Sequence, residues 1–325
     1  VRDARDRWAE PGYAPTCLAV CIRDLGNDLV SAECQQLTGG EPDSSGLASC
    51  DSIEQICDAA YLRFGARRIV QTRTLEELVG WLQHARFRAT DFRIRLVNLT
   101  DKGWKSRQSL IVAVADAIHG RPDLMHPRDQ FLLVVSHHAC WLGEIAVQAE
   151  HSYRLHEAKP YSTAGSLPAR LARALVNLVA PEATCILNPC CGSGSILLEA
   201  RALGLEAHGA DWNPRMVGMS RRNLDHFDYA ASVELIDARE WTRTGDALIA
   251  DLPYGTSHPL DEGVMHELLR NAAGLAPLAA IVAAKDISGW LRRSGFCDIE
   301  VYRAQKTRGF SRFIHRARSA ELSPG

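Results

Sequence analysis

The sequence predicts an α+β module followed by a doubly wound α/β sheet of mostly parallel strands. Three observations predict it. From Thr184 onward, short apolar runs of strand length alternate with longer helical ones. A polar segment holding two prolines, from His151 to Pro168, divides the chain. Ahead of it, alternating and β-branched runs mix with helical stretches without that regular alternation.

Taken in order, Gly39 to Ser52, G-G-E-P-D-S-S-G-L-A-S-C-D-S, is rich in turn formers and predicts a loop. Phe92 to Leu96, F-R-I-R-L, alternates apolar and basic as a half-exposed strand does. Leu110 to Ile118 predicts a helix that Gly120 stops. Gln130 to Ser136 predicts a buried strand, Ala139 to Gln148 its hairpin partner, and His137 and His138 the turn between them. In the second half, strands are expected at Thr184–Leu187, Glu206–Ala210, Val233–Ile236, Ala247–Ala250 and Leu278–Ala284. Helices are expected before the first of these and at Ser195–Leu203 and Pro214–His226. The expected division is an α+β extension over residues 1–50, an α+β module over 51–150, a linker over 151–165 and the doubly wound domain over 166–325.

Composition narrows the class. The 325 residues have a globular balance of apolar and charged groups. No apolar run reaches the roughly 18 residues of a membrane span, and the first residues, V-R-D-A-R-D-R-W, lack a signal-type apolar segment, so a cytoplasmic protein with no membrane partner is expected. The ten cysteines include no C-x-x-C pair, which predicts reduced thiols and no metal site. The net charge of −2 hides an uneven distribution. Basic residues crowd the stretch from Arg63 to Arg107, and another run extends from Arg303 to Arg318 with no acid inside it. Such patches suit a polyanion, and Arg93, Arg95, Lys102, Lys105 and Arg107 are the candidates to bind it.

In a doubly wound sheet, ligands bind at the carboxyl ends of the strands. The first strand runs into N-P-C-C-G-S-G-S, Asn188 to Ser195, whose glycines let a ligand approach the backbone and a helix N-terminus. Asp211 follows the second strand, 19 residues beyond Gly192, near the offset at which an acid takes ribose hydroxyls. A helix cap ahead of Pro214 is the plainer role for it. Asp237 follows the third strand, where an acid can accept from an adenine amine. Asp251 follows the fourth, in D-L-P-Y-G.

Together these residues resemble a class I S-adenosylmethionine-dependent methyltransferase. More narrowly, the chain is similar to the RNA methylases that carry a THUMP domain ahead of the catalytic domain, among them the tRNA guanine-N2 methyltransferases. The family's D-P-x-C-G-[ST]-G-[TS] appears as N-P-C-C-G-S-G-S, its acidic motif as G-A-D-W-N-P, and its D-P-P-Y-G as D-L-P-Y-G. S-L-P-A-R-L-A-R-A-L-V-N-L resembles the helix beside the cofactor, and K-T-R-G-F-S-R-F-I-H the closing strand pair. R-F-G-A-R-R-I, F-R-I-R-L and A-D-A-I-H-G-R-P-D-L-M-H-P-R-D-Q-F-L-L-V-V are THUMP-like in order.

The resemblance implies S-adenosylmethionine as cofactor, held by Ser166, Asn188, Cys190, Gly192, Ser193, Gly194, Asp211, Trp212, Asp237 and Ala238. It implies RNA, in particular tRNA, as partner, bound by a THUMP-like residues 51–150, and leaves open whether a small activating subunit takes part. Catalysis falls to Asp251, Leu252, Pro253 and Tyr254. Asp251 and the Leu252 carbonyl would accept the hydrogens of an exocyclic amine, on which Tyr254 stacks its base. Guanosine N2 of tRNA is the expected target; adenine N6, a ribosomal guanine N2 and a degenerate RNA-binding relative are the alternatives. Two departures stand out: Asn188 replaces the family's aspartate, and Leu252 its first proline. A nicotinamide oxidoreductase is disfavoured, because the loop lacks the third glycine of G-x-G-x-x-G.

Overall fold

The computed structural model describes residues 16–22, 24, 27–100, 104–252, 261–307 and 310–322, with the backbone alone at 104–106, 306, 307 and 310. The chain divides into two compact units, Val1–Arg23 with Leu37–Cys57 and Leu62–Ala149, and Asp24–Gln36 with Asp58–Tyr61 and Glu150–Gly325.

The elements of the first unit are β1 (Cys17–Cys21), the end of α1 (Leu29–Thr38), β2 (Leu47–Cys50), β3 (Leu62–Thr72), α2 (Leu75–His84), β4 (Arg88–Asn98), α3 (Trp104–Ala115), β5 (His119–Pro122), β6 (Asp129–Val135) and β7 (Cys140–Gln148). The strands form one sheet in the order β2-β1-β3-β7-β6-β4-β5. β6 explains how the core is built. Phe131, Leu133 and Val135 point into a core with Leu78, Leu82 and Val114 of α2 and α3, while Leu132 and Val134 point into a second core with Leu18, Phe64 and Trp141. A strand buried on both faces reads as an unbroken apolar run, which is what the sequence has there.

Phe92–Leu96 lies within β4, and β6 and β7 pair as the expected hairpin. Three elements differ from expectation. The turn-rich segment from Gly39 ends at Gly46, and Leu47–Cys50 is a strand paired with β1. The helix expected at 110–118 begins earlier and ends at Ala115. Gly120 lies inside β5 rather than stopping a helix; a Cβ there would come within 2.1 Å of the Ala89 carbonyl oxygen. Its role is close approach of two backbones.

The second unit continues with α4 (Ala169–Asn177), β8 (Cys185–Asn188), α5 (Ser195–Ala202), β9 (Glu206–Asp211), α6 (Pro214–His226), β10 (Ser232–Leu235), β11 (Ala247–Asp251), α7 (Glu262–Ala273), β12 (Leu278–Ala283), α8 (Ser288–Arg293), β13 (Phe296–Thr307) and β14 (Phe310–Ser319). Its sheet runs β10-β9-β8-β11-β12-β14-β13. β8 to β12 are parallel, and β13 and β14 close the sheet as an antiparallel pair. Strand order reverses beside β8, so the crevice of this doubly wound sheet opens at the carboxyl ends of β8 and β11. All five expected parallel strands and both flanking helices form within a residue or two of expectation.

Buried polar networks fix the helices of this unit. Glu33, in the part of α1 that belongs to this unit, accepts from the Ala60 and Tyr61 amides at 2.8 and 2.6 Å and from Asn177 Nδ2 at 2.6 Å. Glu199 on α5 takes His156 Nδ1 at 2.7 Å and Arg173 Nε at 2.9 Å, both within a fully buried cluster. His156 belongs to a short 3-10 turn, Ser152–Ala158, so the polar segment after Glu150 is packed by Tyr153 and His156.

Candidate active site

The glycine loop between β8 and α5 is held on three sides. Gly192 and Gly194 have φ of 53° and 83°, the left-handed region that favours glycine. A Cβ on Gly194 would meet Ser220 Oγ at 2.5 Å, whereas one on Gly192 would meet nothing within 4 Å. Gly194 is thus required by packing, and Gly192 leaves open space beside the backbone. Ser193 Oγ and Ser166 Oγ lie 2.8 Å apart, and Asn223 Nδ2 donates to the Ser193 carbonyl and to the Tyr161 carbonyl, each at 2.8 Å. Lys159 Nζ donates to Ser195 Oγ at 2.6 Å, and Ser195 Oγ donates to the Leu167 carbonyl at 3.0 Å. Burial draws the Lys159 ammonium below its ordinary pKa.

Asp211 ends β9 and braces this loop from below. Its Oδ2 accepts from the Gly192 amide at 2.9 Å and its Oδ1 from the Asn213 amide at 2.9 Å. Burial nonetheless raises its carboxyl above the ordinary value, with those two amides opposing. The cap of α6 is Asn213, whose side chain accepts from the Arg215 amide, so Asp211 is not spent on capping.

Three carboxylates act on Cys190. Burial, then the charges of Asp211, Asp251 and Asp237, push its thiol up to about 12. The acids that end β9 and β11 and the one after β10 thus all stand at the carboxyl ends of the parallel strands, within electrostatic reach of Cys190. Asp237 is held below the ordinary carboxylate range by hydrogen bonds from Arg239, which grips both oxygens at 3.1 and 2.8 Å. Asp251 ends β11 and is half-buried.

The two departures from the resembled motifs acquire structural roles. Asn188 is buried, and its Nδ2 donates to the Ile249 carbonyl, joining β8 to β11 where the strand order reverses. Its Oδ1 is a buried acceptor that no described group meets. Leu252 is buried, and its amide donates to the Val282 carbonyl at 3.1 Å. A proline has no amide hydrogen to give, so here a sheet hydrogen bond fixes the corner in place of a ring.

The remaining expected residues fall in several places. Trp212 is 76% exposed beside Asp211. The Ala238 methyl packs in the core below the sheet, and its carbonyl accepts from Asn271 Nδ2 at 2.7 Å. Pro253 and Tyr254 lie outside the described residues, as does Lys102; of Lys105 only the helical backbone is described. Arg93 and Arg95 are half-buried on β4, and Arg107 is exposed on α3. Burial, with the like charges of Arg93 and Arg63, lowers the Arg95 guanidinium from its usual pKa, and its carbon lies 5.3 Å over the Phe64 ring. Sequence reasoning missed Lys159 and Asn223. Their partners are up to 62 residues away, so only the K-P-Y-S context around Lys159 could have flagged either.

Comparison with known proteins bears on the fold and the class of reaction. Residues 156–273 match the family described as RMKL-like, methyltransferase domain. The chain is 37% identical over 142 residues to the tRNA (guanine(10)-N2)-dimethyltransferase of Methanothermobacter thermautotrophicus, covering 42% of this chain and 40% of that one. It is 30% identical over 175 residues to the tRNA (guanine(10)-N2)-dimethyltransferase of Pyrococcus abyssi, covering 50% and 52%. The chain thus spans about half the length, or less, of these curated relatives. TrmN from Thermus thermophilus shares the fold over 93% of this chain and 99% of its own, with a TM-score of 0.52 at 19% identity. Among the described residues, no helix is long and apolar enough to cross a membrane.

Proposed function

We propose that this chain, which carries an RMKL-like methyltransferase domain over residues 156–273, is an S-adenosylmethionine-dependent methyltransferase acting on the N2 amine of a guanosine in tRNA. The observation that carries the reading is that Asp211 ends β9, Asp237 follows β10 and Asp251 ends β11, on the side of the sheet where the glycine loop leaves β8. A cationic cofactor with ribose and amino-acid parts suits a crevice that offers the Asp211 and Asp237 carboxylates at two strand ends, with Asp251 at a third left to hold the amine.

The residues present fit that cofactor. Gly192 leaves room for close approach, and Asn188 Oδ1 is an orphaned buried acceptor suited to an ammonium group. Asp211 keeps a second lone pair on each oxygen for ribose hydroxyls while holding the loop. Asp237 would take the adenine amine in competition with Arg239. When bound, the cofactor supplies a methyl group on a sulfonium.

The chain's own contribution is to hold the amine. An exocyclic amine is a poor nucleophile because its lone pair is delocalised into the ring. The Asp251 carboxylate and the Leu252 carbonyl would accept its two hydrogens and turn the lone pair toward the methyl group. Asp251 would also take up the proton that the nitrogen loses as the new N–C bond forms. Catalysis is then chiefly alignment. The base must be unpaired or flipped to reach such a pocket.

The choice of tRNA rests on the curated relatives and on the arginines of the first unit, read as a THUMP-like RNA-binding module over residues 51–150. Incubation with labelled S-adenosylmethionine and unmodified tRNA should give labelled N2-methylguanosine on nucleoside mapping. Label on adenine N6, or only on ribosomal RNA, would redirect the substrate assignment. Cofactor binding with no transfer to any RNA would mark a degenerate relative.

A further inference from the structure

Cys185 begins β8 and Glu206 begins β9, and the parallel register sets the two side by side. His208 lies two residues beyond Glu206, so its side chain leaves the same face of β9. The Cys185 sulfur, a Glu206 carboxylate oxygen and an imidazole nitrogen of His208 all lie within 4.8 Å of one another. We propose that Cys185, Glu206 and His208 bind a single divalent metal ion of the zinc type, at the end of the strands opposite the acidic crevice.

The donor set selects the ion. One sulfur, one nitrogen and one oxygen suit zinc and its neighbours and are poor for magnesium or calcium, which take oxygen alone. Three protein ligands leave one position of a tetrahedron for water. On binding, the Cys185 thiol releases its proton to solvent as the sulfur–metal bond forms. Thiolate and carboxylate then neutralise the dication.

The platform is already rigid. Asp246 Oδ2 accepts from the Thr184 amide, the Thr184 hydroxyl and the Cys185 amide at 2.9, 2.7 and 2.9 Å. The Glu206 amide donates to the Thr184 carbonyl at 2.8 Å, tying the two strand starts together. His208 Nε2 lies 2.7 Å from Glu206 Oε1, and no described group meets His208 Nδ1. The carboxylate can only accept, so in the metal-free chain Nε2 carries the hydrogen; on binding, the ring would pass to the Nδ1–H tautomer by exchange with solvent, freeing the Nε2 lone pair for the ion. The nearby cation Arg243 is paired with Glu234 at 3.2 Å, which offsets its repulsion.

This ion would clip β8 to β9 and take no part in methyl transfer, so it is tested by spectroscopy and stability. The metal-free chain of residues 1–325 is titrated with Co2+. A single equivalent should give the intense visible bands of a four-coordinate site together with sulfur-to-cobalt charge transfer in the near ultraviolet. Cys185→Ala should abolish the charge-transfer band, and Cys190→Ala should keep it. Glu206 is exposed, so Glu206→Gln should fold normally and weaken Co2+ binding by about tenfold or more. Zn2+ should displace Co2+ and raise the Tm of the wild type but not of Glu206→Gln. Absence of these bands in the wild type, their persistence in Cys185→Ala, or unchanged affinity in Glu206→Gln would overturn the assignment.

Discussion

The Gly192 amide donates to Asp211 Oδ2 at 2.9 Å, so the loop that follows β8 is braced by the acid that ends β9. One carboxylate thereby shapes the glycine loop and, in the proposed function, also takes the cofactor's ribose. Asp211→Asn loses an acceptor to one of its two amides. Cofactor affinity should fall tenfold to a hundredfold, the worth of a charged hydrogen bond at about 1.5–3 kcal/mol. Isothermal titration calorimetry at neutral pH reads this directly.

The same residue sets a pH dependence. Burial raises the Asp211 carboxyl, so just above the ordinary carboxylate range the folded chain keeps a proton that the unfolded chain has released. Its contribution to stability therefore falls as pH rises through that window. Binding of a cationic ligand moves the opposite way, because it needs the carboxylate. Cofactor affinity measured on acidification should start to drop above the usual carboxylate pKa, and Asp211→Asn should remove that drop.

Asn223 is the staple of the glycine loop. It donates to the Ser193 and Tyr161 carbonyls and accepts from the Tyr161 amide at 3.0 Å, all from a buried position on α6. Asn223→Ala leaves those groups without it, at a cost of about 1–3 kcal/mol. Urea denaturation should show that loss, and the KM for cofactor should rise more than the KM for RNA. Equal rises in both would argue against a local effect on the loop.

How far the site could be read beforehand followed from where its partners lie. The parallel strands were legible because each is a short apolar run followed by an acid or glycines, and Asp211, Asp237 and Asp251 all stand at such ends. β2 and β5 were missed because each is only four residues long, and β5 is exposed throughout. Asn223, Lys159 and Glu33 were invisible for another reason. Each is an ordinary polar residue whose role appears only when a partner far along the chain arrives. Cys185, Glu206 and His208 are likewise joined by strand register, which no C-x-x-C search would find.

Glu33 tests the buried framework. It is fully buried, and burial raises its carboxyl above the ordinary value despite three hydrogen bonds. Glu33→Ala would strand the Ala60 and Tyr61 amides and one hydrogen of Asn177 Nδ2, which would keep its bond to the Asp58 carbonyl. A loss of roughly 3 kcal/mol in chemical denaturation is expected from breaking such a buried network. A loss below about 1 kcal/mol would mean that water replaces the carboxylate there.

Arg93 and Arg95 test the polyanion surface. Burial, and then the like charges of Arg93 and Arg63, pull the Arg95 guanidinium below its ordinary pKa. Replacing both with glutamine should weaken tRNA binding without altering cofactor affinity. Two lost phosphate contacts should flatten the slope of log affinity against log salt by about 1.4 to 1.8. An unchanged slope would place RNA on another surface.

The amine-holding role of Asp251 is the centre of the account. Its most direct test is single-turnover methyl transfer to unmodified tRNA by Asp251→Asn, with cofactor binding measured on the same preparation. Transfer should fall on the order of 100-fold or more, as when an oriented charge-stabilising group is removed from a reaction centre. Cofactor affinity should stay within about threefold, well under the 1.4 kcal/mol of a tenfold change. Transfer at the wild-type rate, with the cofactor bound as tightly, would contradict it.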